Sequence, residues 1–114
     1  MENQTPMTEK QNLKQMLSFQ AGAIVSRMLV KNPSGNVTLF AFDEGEGLSE
    51  HTAPFDALVI GIEGQAEISI KDKRQLLNEG ETLLLPANIP HAVTPQGKFK
   101  MLLIMIRGEA EATT

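Results

Sequence analysis

Residues 49–64 read SEHTAPFDALVIGIEG: a histidine and a proline, then an apolar run that closes on Glu-Gly. A second stretch, residues 80–95, reads GETLLLPANIPHAVTP and again sets a histidine beside prolines. His51 and His91 are the two histidines of the chain. Fold and chemistry therefore turn on whether these two stretches come together.

The surrounding pattern is of β type. AIVSRMLV (23–30), VTLFAF (37–42), ALVIGIEG (57–64), QAEISI (65–70), RQLL (74–77), TLLLP (82–86) and KFKMLLIMIRG (98–108) are separated by KNPSGN, DEGEG, KDK and NEGE. Short apolar runs at near-regular spacing with turn residues between them predict an all-β sandwich or barrel. In the last run Lys98 and Lys100 face one way, while Phe99, Met101, Leu103 and Met105 face the other. Upstream, Thr8 with Gln11 makes a capping-box pattern, and Leu13, Met16 and Leu17 share a helical face. The expected organisation is a flexible tail and short helix over residues 1–19, a β-barrel over 20–108 and a frayed acidic end over 109–114.

Composition removes several function classes. At 114 residues the chain has the length of one domain. A net charge of −4 offers no basic patch for nucleic acid or anionic lipid. Cysteine is absent, which excludes disulfides and thiolate chemistry. No run reaches the ~18 apolar residues of a membrane span, and the polar N-terminus lacks the layout of a secretion signal. A cytoplasmic protein is expected. Tyrosine and tryptophan are absent too, so a base-stacking surface is not expected. No serine lies in a nucleophile-elbow context.

Together the two stretches resemble the motifs of the cupin superfamily. The first motif, G-x5-H-x-H-x3-4-E-x6-G, falls on Gly45, His51, Ala53, Ala57 and Gly64, with alanine in place of the second histidine and of the glutamate. The second, G-x5-P-x-G-x2-H-x3-N, falls on Gly80, Pro86, Asn88, His91 and Pro95, with Asn88 in place of glycine and Pro95 in place of asparagine. The resemblance spans roughly residues 20–107 and implies a double-stranded, jelly-roll-like β-barrel with His51 and His91 near each other in its mouth. It also implies a homodimer, with the strand at 23–30 pairing with a second subunit.

Strand alternation from His51 onward would turn Ala53, Phe55, Ala57 and Val59 inward, opposite Met101, Leu103 and Met105. Gly64 and Gly80 are expected at turns that need positive φ. Catalytic first-row metal sites take three or more protein ligands, and this chain brings His51, His91 and two methyl groups. Asp56 is one residue off the glutamate position, which reverses its side chain. Glu46 and Glu50 are expected to form a solvated rim, and Met101 and Met105, thioethers suited to Cu(I), to serve packing.

Three functional readings follow. The first is a small-molecule binding barrel whose mostly apolar pocket is oriented by His51 and His91. The second is a dioxygenase or isomerase using Zn, Mn, Fe, Ni or Cu held by those histidines and an oxygen donor outside the motif. The third is a filled barrel that serves assembly. The imidazole pair by itself supports proton transfer near neutral pH.

Overall fold

The computed structural model describes residues 7–108; residues 1–6 of the tail expected within 1–19, and the expected frayed end at 109–114, lie outside the described residues. Nine strands carry the fold: β1 (Ile24–Asn32), β2 (Gly35–Phe42), β3 (Leu48–His51), β4 (Phe55–Glu63), β5 (Ala66–Ile70), β6 (Lys73–Leu77), β7 (Thr82–Leu85), β8 (His91–Pro95) and β9 (Phe99–Arg107). They form a five-stranded sheet in the order β1-β2-β9-β4-β7 and a four-stranded sheet in the order β3-β8-β5-β6. All pairings are antiparallel. The architecture is all-β and jelly-roll-like: from β3 onward the chain passes repeatedly from one sheet to the other. Among the described residues the barrel is two facing sheets, with no strand pairing that closes it.

The inner faces meet in one apolar core. Phe42, Val59, Ile68, Phe99 and Met101 are almost completely buried there, with Ala57, Ala66, Leu77, Leu85 and Val93 around them. The rings of Phe42 and Phe99 lie 5.9 Å apart in a tilted pair, and Phe40 stacks on Phe42 at the same spacing. Burial of this apolar surface is the main drive to close the sheets on each other. Tight turns let the strands reverse. Gly64 sits at φ +76°, and a Cβ there would come within 2.2 Å of the Lys98 carbonyl oxygen. Gly80 also has positive φ, +85°.

Three sequence expectations need correction. The helix expected from Thr8 to Leu17 is a single 3-10 turn, Leu13–Gln15, in which the Asn12 side chain accepts from the Lys14 amide. A helix this short lacks the length to offset nucleation, and Asn12 starts it four residues later than Thr8 would. The continuous strand running from His51 into Val59 is interrupted at residues 52–54. Pro54 has no N–H for a ladder, and the chain there leaves the four-stranded sheet for the five-stranded one. Alternation therefore does not carry from His51 to Phe55. β3 and β8, four and five residues long, escaped the periodicity because LSEH and HAVTP offer too few apolar positions.

The segment from Leu13 to Phe19 lies across the outer face of the five-stranded sheet. Lys100 is buried beneath it, donating to the Lys14 carbonyl, paired with Glu63 at 3.2 Å and set 4.8 Å from the Phe19 ring. Leu39, Ala41 and Leu102, on the same outer face by their pairing with Lys100 and its neighbours, are buried with it.

The Gly64 geometry is testable. Gly64→Ala should lower the unfolding free energy by about 2 kcal/mol, because the left-handed conformation alone costs an L-residue roughly 1–2 kcal/mol and the carbonyl contact adds to it. Gly108→Ala, which meets open space, should leave the urea midpoint unchanged. Equal midpoints for the two variants would refute this account of the turn.

Candidate functional site

One end of the barrel gathers the candidate residues. β3 ends there at His51, β4 begins at Phe55, β5 ends at Ile70, β8 begins at His91 and β9 ends at Arg107. Pairing sets His51 opposite His91, His91 opposite Ile70, and Phe55 opposite Arg107. Two connections at this end are tied together. The Asn88 amide donates to the Ala53 carbonyl at 2.7 Å, and the Ala87 amide donates to the Asp56 carboxylate at 2.9 Å. Asn88 takes φ +63°, a left-handed conformation that asparagine tolerates better than other side-chain-bearing residues. It thus does the work of the glycine it replaces.

The two imidazoles meet edge to face, with ring centroids 4.4 Å apart. His91 is buried; His51 is exposed. Nδ1 of His51 lies 2.6 Å from the Ser49 carbonyl and Nδ1 of His91 lies 3.1 Å from the Ile89 carbonyl. A carbonyl only accepts, so each ring donates Nδ1–H and the hydrogen bonding assigns Nε2 as the free lone pair. Burial pushes the His91 pKa below its ordinary 6.5; the Ile89 carbonyl opposes this, and positive charge on His51 adds to it. His91 is thus held neutral, a hydrogen-bond acceptor toward anything that reaches Nε2.

The inner face changes character toward this end. Along β9, Phe99 and Met101 are sealed, Leu103 and Met105 are partly exposed and Arg107 is exposed. On β4, Val59 and Ala57 are buried while Phe55 is partly exposed. Of the residues expected to line a pocket, Ala57, Val59 and Met101 belong to the packed interior, Leu103 and Met105 pack against it partly exposed, and Phe55 is partly exposed. Ala53 lies in the connection between β3 and β4, half-buried. The inner face is thus sealed around Phe99 and Met101 and partly exposed toward the histidine end.

The donor set does not fit a catalytic metal ion. Among the described residues no cluster of three or more His, Asp or Glu side chains is arranged to hold one. Asp56 is engaged by the Ala87 amide, and Glu46 lies in the turn before β3, at the far end of that strand from His51. Glu50 is exposed.

At the Phe55–Arg107 end of the five-stranded sheet, a recess of about 60 Å³ is lined by Lys31, Asn32, Asn36, Phe55, Met105 and Arg107. The Arg107 guanidinium lies over the Phe55 ring at 5.2 Å. Lys31, Asn32, Asn36 and Arg107 were not singled out by sequence motifs. Extending the β9 alternation two residues past Met105 would have found Arg107.

A family model for the cupin domain matches residues 38–107. A conserved protein of unknown function from Streptococcus pyogenes is similar in structure with a TM-score of 0.87 and 33% identity, over 95% of each chain. A cupin superfamily protein from Desulfitobacterium hafniense has a TM-score of 0.85 and 28% identity, over 90% of this chain and 94% of its own. A cupin 2 conserved barrel domain protein from Leptotrichia buccalis is 42% identical over 80% of this chain and 44% of its own, with a TM-score of 0.76. The search of curated proteins returned no match. The family match covers more than half of the sequence and includes both histidine strands, so this chain belongs to the cupin family.

Proposed function

We propose that this cupin binds a small molecule at the open end of its barrel. His51 and His91 orient it through Nε2, and Phe55, Leu103 and Met105 supply apolar contact. The observation that carries this reading is the burial gradient: the same inner face that is sealed at Phe99 and Met101 becomes partly exposed toward the end that holds the imidazole pair. Apolar concavities with a few fixed polar groups are the usual form of small-molecule sites. The competing reading, a divalent-metal dioxygenase or isomerase, has two imidazole donors and lacks the third protein ligand such sites take.

Elemental analysis of untagged protein separates the two. Metal well below one equivalent per chain, unchanged in the His51→Ala/His91→Ala double variant, is the expected result. Stoichiometric metal lost in the double variant would replace the binding reading with the metalloenzyme one. In parallel, a thermal-shift panel of small acids, sugars and aromatics should contain compounds that raise apparent stability in the wild type, since selective binding to the folded state must do so. The same compounds should shift the double variant less.

We also infer a homodimer. β1 is an edge strand exposing Ile24, Met28 and Val30. On the outer face, Val30, Val37, Ile104, Leu58 and Leu84 form a row through successive pairings across all five strands. Val30 and Leu84 are about half exposed. A second copy would cover both the free edge and this row. Light scattering should give twice the chain mass, and a Val30→Lys/Leu84→Lys variant should give the monomer mass. A wild-type monomer at micromolar concentration would refute the dimer.

The depressed His91 pKa fixes a sign for pH dependence. In the unfolded chain the ring binds its proton near 6.5; in the folded protein it does so only at lower pH. Between those values the unfolded state holds more protons, so stability falls as pH drops. The contribution is complete above about pH 6.5 and is lost as pH falls through the lower folded value. His91→Gln should flatten this part of the profile in urea titrations run across pH 7 to 5. An unchanged slope in the variant would refute the assignment to His91.

A further inference from the structure

The recess lined by Lys31, Asn32, Asn36 and Arg107 presents hydrogen-bond donors. Asn32 Oδ1 already accepts from the Ser34 amide at 2.8 Å, and Asn36 Oδ1 accepts from the Thr38 hydroxyl at 2.9 Å. Both side-chain amides are thereby oriented with Nδ2 as their uncommitted group. Lys31 and Arg107 offer donors alone. Neither forms an ion pair among the described residues, where the two pairs are Lys14–Glu79 and Lys100–Glu63. No carboxylate lines the recess. The Arg107 guanidinium carbon lies 5.2 Å from the Phe55 ring centroid, a cation–π distance, and its planar fork of N–H donors suits a planar acceptor.

We infer that the recess is a subsite for an oxyanion, a carboxylate or phosphate group borne by the small molecule that the mouth binds. This deepens the proposed function and rests on it. Two cations and two fixed amide donors without a carboxylate among them match a group that only accepts. The volume agrees: a water needs ~10–15 Å³ of such space, so the 60 Å³ recess takes roughly four to six heavy atoms, the size of one carboxylate or phosphate. Phe55 and Met105 then meet the adjoining apolar part of the ligand. The three-residue connection 52–54 keeps Phe55 within about 14 Å of His51. One end of a small acid thus lies on Arg107 and Lys31, and its body extends toward the imidazoles.

Benzoate and benzamide have nearly the same shape and differ in charge. Titrated into 15N-labelled full-length protein at constant ionic strength, benzoate should bind at least fivefold more tightly. It should move the Arg107 Nε and the Asn32 and Asn36 side-chain amide signals. Arg107→Gln and Lys31→Gln, substitutions at exposed positions on different strands, should each remove most of that preference while preserving the amide spectrum. Acetate and inorganic phosphate distinguish the sources: tighter phosphate identifies a phosphorylated ligand, tighter acetate a carboxylic acid. Equal affinity for benzoate and benzamide, or a benzoate preference that survives both substitutions, overturns the oxyanion subsite. If benzamide still shifts the signals of His51 and His91, the small-molecule reading stands without it. Silence of the four recess residues toward every oxyanion also overturns the subsite, whatever binds at the histidines.

Discussion

The open end depends on two connections that hold each other. After His51 the chain must leave the four-stranded sheet for the five-stranded one, and after Leu85 it must cross back to reach His91. Each crossing breaks a hydrogen-bonded ladder, and prolines at 54, 86 and 90 remove donors as well. Backbone groups stranded at such a point are costly unless paired. The pairing comes from across the gap: Asn88 to the Ala53 carbonyl, and Ala87 to the Asp56 carboxylate. These two bonds secure the crossings together, and β3 and β8 then meet with His51 opposite His91. Asp56 is therefore a positioning residue for the imidazole pair, although its carboxylate serves the loop.

The histidine end is open because the inner-facing residues change along the strands. Large side chains fill the far end, where Phe42, Phe99 and Met101 leave no exposure. Toward the histidines β4 contributes Ala57 and β9 contributes flexible Met105, and both strands finish in residues that reach solvent. The alanines at the two departed ligand positions have different consequences. Ala57 is inside the core, opposite Met105 and Leu85, where a carboxylate would be desolvated. Ala53 is in the crossing loop, where its carbonyl, not its side chain, carries the structural role. Toward this end stand the two imidazoles and a set of donors from Lys31, Asn32, Asn36 and Arg107.

Much of this was legible in the sequence. Runs with at least two large apolar residues, down to RQLL, announced themselves, and the alternation in KFKMLLIMIRG assigned the inner face of β9 correctly. β3 and β8 carry the two histidines yet were not visible as strands, because four or five residues with a single strongly apolar position leave no period to detect. The motif resemblance brought His51 and His91 together where periodicity could not. The crossing at 52–54 was misjudged because alternation holds only within one strand. The recess was hidden for another reason: Lys31, Asn32, Asn36 and Arg107 come from three strands, and only sheet register brings them to one place. No local pattern encodes that.

Lys100 shows the same limit from the opposite direction. Its place in the alternation put it on the outer face, where a lysine is ordinarily solvated. Instead the Leu13–Phe19 segment covers it, so the outer face is divided into two unlike halves. Under the segment, Lys100 exchanges water for Glu63, a carbonyl and an aromatic ring; beyond it, Ile104, Leu84 and Ile106 stay uncovered. The ion pair is asymmetric: the lysine is nearly sealed, whereas the glutamate keeps 38% of its side chain in contact with water. Removing Glu63 leaves a buried cation short of one partner, while removing Lys100 leaves a carboxylate that water can reach, so the two losses are not equivalent. The lysine therefore acts less as a stabilising charge than as a specification of where the N-terminal segment must lie. By holding that segment over one end of the sheet, it leaves Leu84 and Ile106 exposed at the other.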